Sequence, residues 1–216
     1  MEKSITSKLA FIWDLDGTLL DSYDVIVGAL YQTYFEIGIK IDKAKILATV
    51  IAGSVTVFTD KMEERFGVPF SNLLSRYVQI SAEREPGIKL MPHAKEALES
   101  LKKKGATHFV YTHRGDSSEL ILKNNGVYGL FDEVVTREYG LPRKPRPEGI
   151  DYLVKKHSLD RSQTYYVGDR SLDIECANAA HIQSIMYIPV QSVAKPTGKE
   201  TYLVKDLSDI EKALGL

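Results

Sequence analysis

From residue 91 onward, short apolar segments alternate with longer amphipathic ones, and no other feature limits the fold as tightly. Strand-like runs occupy residues 107–111, 133–136, 164–167, 184–187 and 202–204. Between them lie segments with helical spacing at residues 92–104, 116–124, 146–157 and 172–179, and a last one begins at Asp206. Their ends are marked by residues that start or stop helices: Pro92 and Pro147 in first turns, Gly105 and Asn125-Gly126 at the ends. A further apolar strand, Phe11-Ile12-Trp13, precedes all of these. Strands joined by helices of this length predict an α/β fold with a doubly wound, mainly parallel sheet, whose ligands lie beyond the carboxyl ends of the strands.

Between the first strand and this alternating region the pattern is helical throughout. Apolar residues at Val25, Ile26, Leu30, Tyr34 and Ile37 recur at helical spacing until Gly38, with Asp21-Ser22 as the cap. Asp42 caps a stretch through Val50, Ser54 caps one through Phe66 that stops at Gly67, and a fourth begins near Ser71 and fades before Pro86-Gly87. Four helices without a strand predict an inserted helical subdomain at residues 20–88, and a core made of residues 1–19 and 89–216.

The parallel architecture gives meaning to the residues just past each strand. Asp14 and Asp16 come after the first, Thr112-His113-Arg114 after the second, Arg143-Lys144 lie in the loop beyond the third, and Gly168-Asp169 come after the fourth. Polar and charged groups distant in sequence thus collect at one sheet edge. Alternation along an extended chain puts Asp14 and Asp16 on the same side, where two carboxylates require a cation or a shared proton. Gly17 permits a sharp turn just after them, and Thr18 places a hydroxyl there.

The run Asp14-Leu15-Asp16-Gly17-Thr18-Leu19-Leu20-Asp21-Ser22 resembles the first motif of the haloacid dehalogenase superfamily, a phosphatase-rich group. The three later motifs occur in order: Thr112 after a strand, Lys144-Pro145-Arg146-Pro147, and Gly168-Asp169-Arg170-Ser171-Leu172-Asp173. The resemblance implies a Rossmann-like core with a helical cap and phosphoryl transfer through an aspartyl-phosphate. Asp14 would be the nucleophile, Asp16 the general acid and base, Thr112 a phosphate ligand, and Lys144 the balancing charge. Mg²⁺ would be held by Asp14, Asp169 and the backbone carbonyl of Asp16, with Asp173 close by, a donor set of hard oxygens that suits the ion. Many relatives carry Asn after the second-motif Thr; here His113 and Arg114 stand beside the phosphate site, and His113 is a candidate substrate contact. The insertion resembles the cap of the phosphoglycolate phosphatase and β-phosphoglucomutase subgroup, in which the turn at Gly53 corresponds in position to a substrate-facing loop.

Composition removes several alternatives. A formal charge of −1, with 44% hydrophobic and 26% charged residues, provides no basic excess for nucleic acid or an anionic membrane. The one cysteine, Cys176, excludes an intrachain disulfide and suits a reducing cytoplasm, and the charged N-terminal residues 1–8 do not read as a leader. No apolar run approaches the ~20 residues of a membrane helix. The expected protein is a cytoplasmic, Mg²⁺-dependent phosphatase acting on a small phosphorylated metabolite. A phosphomutase is the alternative, and a non-enzymatic phosphate-binding module a more distant one. Dehalogenation is disfavoured because those relatives lack the second Asp, here Asp16.

Overall fold

The computed structural model describes residues 8–216; the N-terminal segment expected not to be a leader lies, apart from Lys8, outside the described residues. The chain divides into two compact units, one made of residues up to Leu20 together with Leu90–Leu216, the other Asp21–Lys89.

The first unit is built on a six-stranded sheet. Its strands are β1 (Ala10–Trp13), β4 (Thr107–Tyr111), β5 (Glu133–Val135), β6 (Thr164–Gly168), β7 (Gln183–Tyr187) and β8 (Tyr202–Val204), in the order β5-β4-β1-β6-β7-β8. A separate two-stranded sheet pairs β2 (Leu20–Asp21) with β3 (Lys89–Leu90). Every pairing in the large sheet is parallel. β1 and β6 are buried at every position, as strands covered on both faces must be. Connections run from β1 outward through β4 to β5, then return to β6 on the other side of β1. The order therefore reverses beside β1, at the place where open α/β sheets bind ligands.

The intervening helices are α5 (Ala94–Lys103), α6 (Ser117–Asn124), α7 (Glu148–His157), α8 (Ser171–Ala179) and α9 (Ile210–Leu214). One side of the core packs Ile12, Phe109, Tyr111 and Tyr166 of the sheet against Ile150, Leu153, Cys176 and Ala177 of α7 and α8. Fully burying a side chain of this kind contributes roughly 1.5–3 kcal/mol, so this apolar layer is a main source of the unit's stability. Cys176 is a buried free thiol in that layer.

The second unit is helical: α1 (Tyr23–Glu36), α2 (Lys43–Ala52), α3 (Val55–Phe66) and α4 (Leu74–Arg84). Its own core joins Val27, Leu30, Tyr34, Ile46, Val50, Phe58 and Met62. Two of the expected caps form: the Ala44 N–H donates to Asp42 Oδ1 at 2.8 Å, and the Val57 N–H donates to Ser54 Oγ at 3.1 Å. Ser22 does not cap α1 through its side chain, because its backbone is already in the helical region (φ −107°, ψ −10°) rather than the extended conformation a capping hydroxyl needs. No helix among the described residues is long and apolar enough to cross a membrane.

Candidate active site

The site gathers at the carboxyl ends of β1, β4 and β6. Asp14 leaves β1 with its N–H still donating to Val167 O at 2.9 Å, so the backbone continues the ladder while the carboxylate lies just beyond it. Gly17 takes φ 84°, a conformation costly for any side chain, and the Leu15 carbonyl then accepts the N–H groups of Thr18, Leu19 and Leu20. This tight turn brings Thr18 Oγ1 to Asp169 Oδ1 at 3.1 Å, tying the first loop to the one after β6.

A buried charge cluster forms the centre. Lys144 Nζ, whose side chain is wholly buried, lies 2.8 Å from Asp14 Oδ1 and 2.6 Å from Asp173 Oδ1, and donates to Tyr166 Oη at 2.9 Å. Tyr166 in turn donates its hydroxyl proton to the Tyr111 carbonyl at 2.9 Å. Arg170 Nη2 stands 3.5 Å from Asp14 Oδ2, while the Arg170 backbone N–H donates to Asp173 Oδ2 at 3.1 Å. Asp173 can approach so closely because residue 168 is glycine: a Cβ there would meet the Asp173 Cβ at 2.4 Å.

These neighbours separate the protonation behaviour of the two acids. Burial pushes the Asp14 carboxyl up, but Lys144 and Arg170, with hydrogen bonds from Lys144 and the Leu15 backbone, hold it below the ordinary carboxylate value. Asp173 goes the other way, raised by burial and then by the charge of Asp14, against the pull of Lys144. Burial alone would lower the Lys144 pKa; Asp14 and Asp173 overcome this and raise it.

Asp16 has a different cationic partner from Asp14. β1 ends at Trp13, and Asp16 pairs in an isolated bridge with Leu20 across the turn at residues 17–19. The Asp16 carboxylate is gripped by Arg114, Nη2 at 2.7 Å and Nε at 3.0 Å from Oδ1, and does not join the Lys144 cluster. Arg114 reaches it from the loop after β4, steadied by Ser117 Oγ at 3.4 Å.

Thr112 is buried, its N–H extending the ladder to Val135 O at 3.0 Å, and its hydroxyl accepts the Arg114 N–H at 3.1 Å while keeping its own proton to donate. His113, expected beside the substrate, is turned inward: its Nε2 accepts the Lys144 backbone N–H at 2.7 Å. Burial first, then the positive charges of Lys144, Arg143 and Arg170, push its pKa down to about 2. Gly53 belongs to the helical unit, where it ends α2, and a Cβ on it would come within 3.1 Å of Val57.

Asp14, Asp169 and Asp173, all buried, each offer a carboxylate oxygen, and these oxygens lie within 4.8 Å of one another. Three such acids against the two cations Lys144 and Arg170 leave formal negative charge in a water-poor site, so the residues fit a small hard cation. The Asp16 carboxylate, occupied by Arg114, is not one of the three. Sequence spacing also missed Arg170 and Tyr166 as members of the cluster. Arg170 lies within the quoted Gly-Asp-Arg run, but nothing in that run says which carboxylate it faces; Tyr166 looks like an ordinary strand residue.

Comparison with known proteins agrees with this arrangement. Residues 11–187 match the haloacid dehalogenase-like hydrolase family. Among curated proteins, Pyrophosphatase PpaX of Oceanobacillus iheyensis is 22% identical over 94% of this chain and 95% of its own length. Phosphoglycolate phosphatase of Aliivibrio fischeri is 26% identical over 80% of each chain. Among solved structures, a predicted phosphoglycolate phosphatase from Haemophilus somnus superposes with a TM-score of 0.83 at 23% identity, covering 96% of this chain and 98% of that one, which shows the shared fold. The family match spans all four strand-end loops of the site, and the chain belongs to the haloacid dehalogenase-like hydrolases.

Proposed function

We propose that the protein is a Mg²⁺-dependent phosphatase that hydrolyses a small phosphorylated metabolite through an aspartyl-phosphate on Asp14. The observation that carries this reading is the state of Asp14: a buried carboxylate at the carboxyl end of the central strand, kept ionised by Lys144 and Arg170. Binding alone does not require such a carboxylate to stand beside an acid-base partner, Asp16. Asp14 attacks phosphorus, the bond to the ester oxygen breaks, and Asp16 supplies the proton that the leaving alkoxide needs. Asp16 then takes a proton from the water that attacks the aspartyl-phosphate, returning Asp14 and releasing inorganic phosphate.

In this reading the Thr112 hydroxyl and the Lys144 ammonium meet the phosphoryl oxygens, since phosphoryl transfer depends mainly on positioning and charge stabilisation. Asp14, Asp169 and Asp173, with the Asp16 carbonyl, would hold Mg²⁺, which when bound offsets charge on the phosphoryl group. Asp16, partly exposed and on a different cation from Asp14, can exchange protons with the reacting groups while Asp14 stays ionised.

Two of the similar proteins are named for pyrophosphate and phosphoglycolate, both small phosphorylated anions. We place this chain's substrate in that class, with phosphoglycolate first. The test is phosphate release from a panel containing phosphoglycolate, pyrophosphate and sugar phosphates, with Mg²⁺ supplied. Release from a small ester supports the reading; isomerisation of a sugar phosphate with little phosphate released would replace it with a phosphomutase.

A further inference from the structure

We infer that His113 is a positioning residue for Lys144, fixing the loop that carries it by accepting the Lys144 backbone N–H, and is not a substrate contact. The inference rests on the proposed phosphatase reaction. The Lys144 loop is held at two points by neighbouring residues of the β4 end. Tyr111, the last residue of β4, donates its hydroxyl to the Pro142 carbonyl at 2.8 Å. Two residues on, His113 Nε2 takes the N–H of Lys144 at 2.7 Å. The His113 ring also packs edge-on to Tyr111, with ring centroids 6.1 Å apart, so one aromatic pair secures both ends of the Pro142-Arg143-Lys144 segment.

What this anchoring determines is the position of the ammonium. Lys144 Nζ meets Asp14, Asp173 and Tyr166 at 2.6–2.9 Å, and a displacement of its backbone would be felt at all three contacts. The hydrogen bond also defines the imidazole chemically. An Nε2 that accepts must carry a lone pair, so the ring is the neutral tautomer protonated on Nδ1. Burial and the positive charges around it, which push its pKa down to about 2, favour the same neutral form. His113 therefore links the strand end bearing Thr112 to the loop bearing Lys144, two groups that must be in register around one phosphoryl group.

Three variants test the assignment: His113→Leu removes the acceptor, His113→Gln returns one at nearly the reach of Nε2, and His113→Asn carries an acceptor too short to arrive. Expected are kcat losses of about 10–100-fold for Leu and Asn with KM little changed, and recovery of most of that loss by Gln. A rise in KM at unchanged kcat would overturn the inference in favour of substrate contact. Equal losses in Leu and Gln, or no loss in Leu, would overturn the acceptor role. NMR supplies a readout independent of turnover: in the wild type the Lys144 amide proton lies downfield and the His113 Nε2 resonance is that of an acceptor, and the amide moves upfield in the Leu variant. Absence of that signature overturns the inference even in a fully active enzyme. Failure of the wild type to release phosphate from any ester would instead sink the phosphatase reading, leaving the NMR result to decide His113.

Discussion

Replacing Lys144 with Met removes one ammonium from two buried carboxylates and leaves a side chain of similar length. In the native site Nζ stands 2.8 Å from Asp14 and 2.6 Å from Asp173, and the three side chains are at most 1% exposed. Breaking a buried ion pair by deleting one partner costs about 3–5 kcal/mol, because the remaining charge has neither water nor partner. Arg170, 3.5 Å from Asp14 and 4.0 Å from Asp173, compensates in part and puts the expected loss near the lower figure, about 3 kcal/mol at pH 8. The rest of the response is protonation. Asp173 is already raised above 3.8 by burial and by Asp14, with Lys144 opposing, so losing Lys144 raises it further.

The folded variant then binds more protons than the unfolded chain, and its stability rises as pH falls toward the unfolded carboxylate value. One proton contributes up to about 1.4 kcal/mol per pH unit. The assay is urea denaturation in chelator at pH 8 and pH 5, monitored by the fluorescence of Trp13, the only tryptophan and fully buried. Lys144→Met should lose about 3 kcal/mol against wild type at pH 8 and clearly less at pH 5. Adding Asp173→Asn should recover part of the loss. A loss under about 1 kcal/mol, or one that does not depend on pH, would refute the shared-cation account.

Asp14→Asn should abolish phosphate release while the urea midpoint stays measurable and cooperative, and residual turnover near the wild-type rate would contradict the nucleophile assignment. Chelation should stop hydrolysis and Mg²⁺ restore it, as read by phosphate release before and after readdition; activity persisting in chelator would remove the metal from the mechanism. Gly168→Ala should cost several-fold or more in kcat and lower the melting temperature, since its Cβ would sit 2.4 Å from that of buried Asp173. His108, buried with Nδ1 accepting from Trp13 Nε1 at 3.1 Å, has its pKa lowered to about 4 mainly by burial, from an ordinary value of 6.5. Its stabilising contribution is present above pH 6.5 and is lost as pH falls toward 4, by about 3 kcal/mol in all. A His108→Gln variant should show a flatter stability curve over that interval.

The strand-helix alternation was legible because burial on both faces makes strands such as β1 and β6 continuous apolar runs, and because Gly67, Asp42 and Ser54 mark helix ends by local chemistry that tertiary packing left intact. Pro92 shows where local chemistry yields. The spacing predicts a helix from Pro92, yet α5 starts at Ala94, because His93 takes φ 59° and directs its ring to Asp206 at 2.8 Å. That partner is 113 residues away, beyond the reach of any local pattern. The strand-end groups were legible for the opposite reason: parallel topology converts scattered residues into one edge. Which of them pair was not legible, since Arg114 choosing Asp16 and Lys144 choosing Asp14 and Asp173 depend on loop geometry at the ångström scale.

That pairing matters more to the chemistry than the presence of the residues. In the proposed reaction two acids two positions apart have opposite duties: one must stay ionised to attack, the other must gain and lose a proton within each cycle. Had both shared one cation, each change of charge at the second would have altered the first. Different cations separate them, giving Asp14 a buried place between Lys144 and Arg170, and Asp16 a more accessible one against Arg114. Environments that divide similar carboxylates in this way are how one site supports both nucleophile and acid-base roles. The division also assigns Arg114 a consequence distinct from Lys144's: removing it should leave Asp14 ionised and phosphorylatable while slowing the steps that need a proton. Arg114→Leu, assayed by rapid quench, should still form the aspartyl-phosphate from a substrate with a good leaving group and turn it over slowly. Loss of phosphorylation in step with turnover would show that the two carboxylates are not separated as their partners indicate.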